Sequence, residues 1–127
     1  MIKIKIPATS ANLGAGFDAL GLALSYYNYV NMEEADGCHI KSLDDTEIPT
    51  DETNLIYHTA KTVYEICGKD FKGLTIEQTN HIPMARGLGS SSACIIAGLV
   101  GANHLMGNPL SLDEMVNLSA QIEGHPD

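Results

Sequence analysis

The stretch from Ser90 to Met106 is apolar along nearly its whole length and ends at Gly107, a residue type that commonly follows the last turn of a helix. Its small residues are Ala93, Ala97, Gly98, Gly101 and Ala102. Small side chains let a helix approach its neighbours closely, because little volume separates the backbones. The stretch therefore predicts a tightly packed helix whose N-terminus is held firmly in place.

Alternating apolar and polar residues predict strands before and between the helices. They lie at 2–6, at 22–33, more briefly at 39–43, and at 74–79. Residues 44–53 form an acidic turn region. The side chains expected to share the inner face are Leu22, Leu24, Tyr26, Val30 and Met32 in the long strand, and Leu74 and Ile76 in the last strand.

Helical spacing predicts two further helices. Residues 54–67 place Ile56, Ala60, Val63 and Cys67 on one stripe, with Gly68 as the stop. Ser111 and Glu114 form a capping box for a final helix. The apolar residues of that helix are Leu112, Met115, Val116 and Ile122. The order strand, strand, helix, strand, helix, helix, with the short strand after the second, indicates an α+β fold.

Net charge indicates which partners to expect, and the cysteine content indicates which cellular compartment. The 127 residues carry a formal net charge of −9, which disfavours nucleic acid and anionic membranes as partners. No apolar run approaches the ~18 residues of a membrane span. The three cysteines, Cys38, Cys67 and Cys94, have no C-x-x-C spacing, so we expect reduced thiols in a cytoplasmic protein.

The glycine- and serine-rich segment before the small-residue helix is the strongest chemical signal. Gly87 and Gly89 let the backbone come close to a ligand, and Ser90, Ser91 and Ser92 follow at the helix start. The first amides of a helix lack internal partners and carry a partial positive charge, so this junction predicts an anion cradle. A helix cap after a flexible turn is the alternative, although one serine would suffice for a cap.

Other motifs carry less weight. The segment lacks the lysine of the common P-loop. Residues 14–19 fit the spacing G-x-G-x-x-A of dinucleotide-binding folds, but residues 7–13 separate them from the preceding strand. The five histidines have no metal-ligand spacing, and there is no G-x-S-x-G elbow.

Three motifs resemble the GHMP kinases, a family named for galactokinase, homoserine kinase, mevalonate kinase and phosphomevalonate kinase. Residues 83–93, PMARGLGSSSA, resemble the family's phosphate loop. Residues 7–18, Arg86 and residues 123–127 resemble its homoserine branch in particular. Ala15 departs from that branch, where many relatives have proline.

The resemblance implies the family's two-layer N-terminal domain, which is similar to domain 2 of ribosomal protein S5. Residues 1–127 would form this ATP-binding domain, incomplete at its C-terminal end. A C-terminal ferredoxin-like domain would be missing, and the chain would be a fragment of a longer protein.

The resemblance also assigns ligands. ATP would be bound by Pro83, Met84, Ala85, Arg86, Gly87, Leu88, Gly89, Ser90, Ser91, Ser92 and Ala93. Ser91 and Glu123 would hold Mg2+. Asn54 would reach the adenine, although an N-cap role explains this residue equally well.

Asn12 and Asp18 match substrate positions of the family. The catalytic set would be Glu123, Ser91 and Asp18, with no general base assigned. The implied reaction is transfer of the γ-phosphoryl group of ATP to the side-chain hydroxyl of L-homoserine. The alternatives are another GHMP kinase, acting on a sugar, a mevalonate-type substrate or shikimate, and a non-catalytic nucleotide-binding module of the same fold. Family members are often dimers, so a homodimer is also expected.

Overall fold

The computed structural model describes residues 1–7, 27–43, 47–80 and 90–123, and within them four strands and three helices. The strands are β1 (Ile2–Pro7), β2 (Tyr27–Glu34), β3 (Gly37–Ser42) and β4 (Gly73–Asn80). The helices are α1 (Leu55–Ile66), α2 (Ser90–Leu105) and α3 (Leu112–Glu123). The predicted α+β class is confirmed. Of the predicted 22–33 strand, residues 22–26, with Leu22, Leu24 and Tyr26, lie outside the described residues.

The described strands form one mixed sheet in the order β1-β2-β4-β3. β2 pairs antiparallel with both β1 and β4. β3 and β4 run parallel, so their connection must cross from one end of the sheet to the other, and α1 lies in that connection.

The two faces of this sheet differ in polarity. The face that packs on the helices carries the predicted inner residues Val30, Met32, Leu74 and Ile76, each at most 1% exposed. On the opposite face Asn31 Nδ2 donates to Glu77 Oε1 at 3.2 Å, and Lys41 Nζ lies 3.7 Å from Glu77 Oε2. Successive side chains of a strand point to opposite faces, which produces this separation. The sheet and the described helices therefore form two layers.

Helix α1 begins and ends as its sequence predicts. Asn54 is its N-cap, and Gly68 follows it with a φ of +70°. A positive φ is readily adopted by glycine, and the Lys69 amide then donates to the Tyr64 carbonyl at 3.0 Å. The predicted stripe is buried at Ile56, Ala60 and Val63, and Cys67 is half-buried at the C-cap. Burial also extends to Tyr57, Thr59 and Tyr64.

Helix α2 packs against both α1 and the sheet through its glycines. A Cβ atom added at Gly98 would lie 2.7 Å from the Ile56 carbonyl oxygen and 2.8 Å from Thr59 Cβ. One added at Gly101 would lie 2.6 Å from Met32 Sδ and 2.9 Å from Ile4 Cδ1. All four distances are shorter than van der Waals contact. A methyl group added at either glycine would therefore displace the atoms it meets, which are backbone and Thr59 at Gly98 but the ends of side chains at Gly101.

Helix α3 has the predicted start but a different buried face. The Ser111 amide donates to Glu114 Oε1 at 2.9 Å, and the Glu114 amide donates to Ser111 Oγ at 3.1 Å. Leu112 and Val116, two of the apolar residues named for this helix, do not face the core, because they are 72% and 56% exposed. Leu118 is buried instead, and Met115 and Ile122 pack partly against the same core. The apolar residues thus occupy more than one stripe, and only the one containing Leu118 contacts α2 and the core.

None of the helices in the described segments is long and apolar enough to cross a membrane.

The glycines of α2 provide a test of this close packing. We expect Gly98→Ala to lower the free energy of unfolding by about 2 kcal/mol, because the added methyl group meets backbone that cannot move away. Gly101→Ala is the matched control on the same helix. Gly101→Ala should lower the free energy of unfolding by less than about 1 kcal/mol, because its methyl group meets the flexible end of Met32 and because alanine favours the helix more than glycine does. Urea denaturation of both variants measures the difference; equal costs would contradict the backbone contact.

Candidate active site at one edge of the sheet

The sheet topology brings several chain segments to one edge. The register pairs Pro7, the last residue of β1, with Tyr27, the first residue of β2. It also pairs Asn28 at the start of β2 with Asn80 at the end of β4. The segments 8–26 and 81–89 therefore leave the described sheet from the same edge. These are the segments that contain the predicted substrate residues and most of the predicted phosphate loop.

The end of β3 and the start of α1 lie at this same edge. Ser42 is paired with Gln78 of β4, and the Leu43 amide donates to the Gln78 carbonyl at 2.8 Å. The Asn54 side chain then reaches back to Gln78, where its Nδ2 donates to Gln78 Oε1 at 2.8 Å. A buried polar contact thus connects the N-terminus of α1 to the strand that leads into 81–89.

Asn54 has a fully occupied hydrogen-bonding side chain. Its Oδ1 accepts from the amides of Ile56 at 2.9 Å and Tyr57 at 3.3 Å, as an N-cap does. Its Nδ2 donates to the Pro49 carbonyl at 2.9 Å as well as to Gln78. The residue is 3% exposed. The structure thus gives Asn54 the N-cap role, and contact with an adenine would require it to exchange one of these hydrogen bonds.

The first turn of α2 differs from that of α3 in charge. Helix α2 begins at Ser90 and has no acidic residue in its first turn. Helix α3, by contrast, has Asp113 and Glu114 in its first turn and a capping box. In a chain with a net charge of −9, the start of α2 is thus left free of carboxylates of its own. The partial positive charge at the N-terminus of this 16-residue helix favours an anion at that position.

Cys94 occupies the second turn of α2. Burial raises the pKa of its thiol to about 11, so the group is neutral at physiological pH. A neutral thiol adds no negative charge behind the anion-favouring end of the helix. It is also a poor nucleophile, because the thiolate is the reactive form. Cys94 therefore contributes to packing rather than to the chemistry of the site.

Several predicted site residues fall outside what the structure describes. Asn12, Asp18 and the loop from Pro83 to Gly89 lie in segments outside the described residues. Ser90, Ser91, Ser92, Ala93 and Glu123 are described as backbone of α2 and α3 only. No group of three His, Cys, Asp or Glu side chains that could hold a metal is found among the described residues. The predicted roles of these residues remain predictions.

The sequence-based interpretation missed Gln78 as a component of this edge. The alternation that places Leu74 and Ile76 on the inner face continues to residue 78. Gln78 is indeed buried, at 3% exposure. A glutamine on a buried strand face needs a partner, because an unpaired polar group there is costly. That signal was available in the spacing of β4.

A concave surface lies at the opposite edge of the sheet from the candidate site. The residues that line it include Glu34, Tyr64, Asp70 and Lys72. The Tyr64 hydroxyl donates to Glu34 Oε2 at 2.7 Å. Burial, and then the adjacent Glu34 carboxylate, raise the pKa of Tyr64 above its usual value. This surface lies beside the start of β4, at the other end of the strand from Asn80, and it contains none of the predicted site residues.

Comparison with known proteins identifies the family. Residues 54–127 match the model for the GHMP kinases N terminal domain. The chain is 50% identical over 129 aligned residues to the homoserine kinase of Caldicellulosiruptor bescii, covering 100% of this chain and 42% of that protein. The corresponding figures for the homoserine kinase of Clostridium acetobutylicum are 48%, 100% and 44%. The chain thus spans less than half the length of these curated relatives.

Solved structures agree with the sequence matches. The crystal structure of homoserine kinase from Cytophaga hutchinsonii has a TM-score of 0.67 at 28% identity, covering 94% of this chain and 40% of that one. The mevalonate kinase of Methanococcus jannaschii shares the fold, with a TM-score of 0.61 at 15% identity over 99% of this chain and 48% of that one. The chain belongs to the GHMP kinase family and corresponds to its N-terminal domain.

Proposed function

We propose that the protein phosphorylates the side-chain hydroxyl of L-homoserine with ATP, giving O-phospho-L-homoserine, an intermediate on the way to threonine. The observation that carries this proposal is identity near 50% along the whole chain to proteins named homoserine kinase. Mevalonate-type kinases share the fold at only 15% identity, which disfavours a mevalonate-type substrate. A non-catalytic module is disfavoured because the chain retains Glu123 and the three serines at 90–92.

The charge distribution around α2 supports the phosphate site. The triphosphate of ATP would contact the backbone amides of residues 87–92, at the helix end that lacks carboxylates. Because the chain as a whole is acidic, attraction to ATP must come from these local dipoles rather than from net charge. Residues 83–86 and Ala93 would complete the cradle by packing and by positioning the loop.

Ser91 and Glu123 would hold Mg2+, since hydroxyl and carboxylate oxygens are ligands that this hard cation prefers. When bound, Mg2+ neutralises charge that develops on the transferred phosphoryl group. Glu123 is the last residue of α3, where the helix dipole disfavours a carboxylate. A neighbouring cation would relieve that unfavourable interaction, which supports the assignment on physical grounds.

Asn12 and Asp18 would orient homoserine. Both belong to the segment 8–26, which leaves the sheet at the same edge as the phosphate segment 81–89. An aspartate can accept a hydrogen bond from the substrate's ammonium or hydroxyl group, and an asparagine can both donate and accept. We assign no general base. Alignment of the hydroxyl with the phosphoryl group, together with the helix-end electrostatics, would supply the rate enhancement.

Asn54 would form the adenine side of the site. Its hydrogen bonds to Pro49, Gln78 and the amides of α1 hold the first turn of that helix in place. We propose that this fixed turn, with Asn54 at its start, flanks the base of the nucleotide. The three cysteines are free thiols, in keeping with the reducing cytoplasm in which we place the enzyme.

The substrate assignment predicts which alcohol accepts the phosphoryl group. The whole gene product, purified with Mg2+ and ATP, should release ADP with L-homoserine and not with galactose, mevalonate or shikimate. A coupled ADP assay, with mass spectrometry of the product, measures this. Release of ADP with one of the other alcohols would identify a different GHMP kinase. Nucleotide binding without turnover on any of them would favour the non-catalytic module.

The phosphate-site assignment predicts the effect of a side chain at Gly89. Gly89→Val should weaken ATP binding by about 100-fold, because the branched side chain would block approach of the triphosphate to the backbone. Isothermal titration calorimetry of the whole gene product measures the dissociation constant. Ile66→Ala is the control, since Ile66 is 54% exposed at the far end of α1 and should leave ATP affinity unchanged. Equal ATP affinity in the wild type and Gly89→Val would contradict the loop assignment.

The hydrogen bonds of Asn54 predict a graded series. Asn54→Ser keeps an N-cap oxygen but loses the bonds to Pro49 and Gln78, and should destabilise the protein by about 1 kcal/mol. Asn54→Ala loses the cap as well and should cost about 2 to 3 kcal/mol. Thermal denaturation gives these values, and calorimetry with ATP gives the accompanying affinities. A serine variant as unstable as the alanine variant would exclude the N-cap contribution.

A further inference from the structure

Asn103 makes a two-point contact with the connection between α2 and α3. Its Oδ1 accepts from the Leu110 amide at 2.9 Å, and its Nδ2 donates to the Leu110 carbonyl at 3.3 Å. The same Nδ2 lies 3.3 Å from Met115 Sδ in the first turn of α3. At 4% exposure the side chain is buried, so these bonds are shielded from competing water. Asn103 thus binds both backbone groups of one residue in the connection.

The connection itself is short and closely bent. It comprises residues 106–111, between the end of α2 and the start of α3. Gly107 has a φ of +88° and Asn108 a φ of +62°, and the Asn108 amide donates to the Asn103 carbonyl at 2.7 Å. Leu110 directly precedes Ser111 of the capping box. Asn103 therefore holds the chain at Leu110, two residues before the first residue of α3.

Helix α3 has few apolar contacts that could orient it by packing alone. Among the described side chains of α3, those of residues 112–122, Leu118 alone belongs to the buried core, and Met115 and Ile122 are partly buried. Leu112 and Val116 are exposed. Its buried residues pack on the core to which Ala97 and Ala102 of α2 contribute, so α3 lies against α2. We therefore expect the hydrogen bonds of Asn103 to contribute much of the free energy that fixes the angle between α2 and α3.

The two predicted Mg2+ ligands lie at the far ends of these helices from that contact. At about 1.5 Å per residue, Ser91 is ~18 Å along α2 from Asn103, and Glu123 is ~17 Å along α3 from Leu112. A change of about 5° in the angle at the connection would then move the end of α3 by ~1.5 Å. Misplacement of about 1 Å in a site of this kind costs roughly 100-fold in rate.

We propose that Asn103 is a positioning residue for the metal site, setting the angle between α2 and α3 and thereby the separation of Ser91 and Glu123. The inference rests on the proposed kinase function and on the proposed ligand role of those two residues. Asn103 contacts neither ATP nor the metal. It acts from the opposite end of the helix pair, through its bonds to Leu110.

The test compares metal dependence with nucleotide binding in the whole gene product. Asn103→Ala should raise the free Mg2+ concentration for half-maximal turnover by about 10-fold and lower kcat by about 10-fold or more. Binding of ATP measured with a chelator and no metal should change less than about 3-fold, since it depends on the amides of α2. A variant that is merely less stable would lose turnover and metal-free ATP binding together. It would not raise the Mg2+ midpoint while ATP affinity stays nearly unchanged.

Two further variants make the result specific. Asn31→Ala removes an asparagine hydrogen bond to Glu77 on the outer face of the sheet, and should leave the Mg2+ midpoint unchanged. Asn103→Asp keeps an acceptor for the Leu110 amide while losing the donor to its carbonyl. It should shift the midpoint in the same direction as Asn103→Ala, and it carries the test if the alanine variant does not fold.

Glu123→Gln separates failure of this inference from failure of the proposed function. If Glu123→Gln shifts the Mg2+ midpoint and neither Asn103 variant does, the positioning role is wrong and the kinase assignment stands. If the wild type turns over homoserine but Glu123→Gln leaves the midpoint unchanged, the ligand assignment fails, and with it the inference about Asn103. Absence of any turnover by the wild type would overturn the proposed function itself.

Discussion

The close approach of α2 to α1 and to the sheet is the constraint on which the rest of the structure depends. At Gly98 the gap to the Ile56 carbonyl oxygen is too small for a methyl group, and at Gly101 the space is filled by Met32. Close contact of this kind fixes the axis of a helix, because little side-chain volume remains between the elements to adjust. The position of the α2 N-terminus relative to the sheet edge follows from it. A buried Thr59 hydroxyl, the one buried side-chain oxygen in the described part of the chain without a hydrogen-bond partner, lies at the same contact. Its unpaired state costs about 1 to 3 kcal/mol, which indicates that close packing outweighs polar satisfaction there.

The ends of the elements are positioned differently, by buried amide side chains. Asn54 and Gln78 join the start of α1 to the end of β4, and Asn103 joins the end of α2 to the start of α3. Apolar contacts fix how far apart two elements lie, but they are not directional. Hydrogen bonds have preferred angles, so amides at the ends can fix direction as well. A site formed at the junctions of several elements needs both kinds of contact. This is a physical reason for three amide residues to be 4% exposed or less in so small a core.

Much of this fold can be predicted from local patterns, and the exceptions have physical causes. Alternation predicts the inner faces of β2 and β4, and the Ser111–Glu114 box predicts the start of α3, because these signals depend on residues close in sequence. The same local signal was ambiguous for α3, whose apolar residues Leu112, Val116 and Leu118 do not all fit one stripe. Which stripe is buried depends on the angle at which α3 meets α2. In our proposal Asn103 fixes that angle through its bonds to Leu110, seven residues away and across a turn, and no periodicity encodes such a contact.

The candidate site shows the same difference between features that local sequence predicts and features that only the fold reveals. The glycines and serines at 87–92 predict an anion-binding junction, since the properties of a helix N-terminus are local. That segments 8–26 and 81–89 leave one sheet edge depends instead on strand order and register, which only the fold reveals. The distribution of acidic residues bears on this site as well. An acidic chain that binds an anion at a helix end is expected to keep carboxylates away from that end. Helices α1 and α2 both begin without acidic residues, whereas α3 begins with two. Acidic residues in the first turn stabilise an isolated helix, so their absence from α2 forgoes some stability. Under the proposed function, that absence leaves the helix dipole free to act on the phosphates.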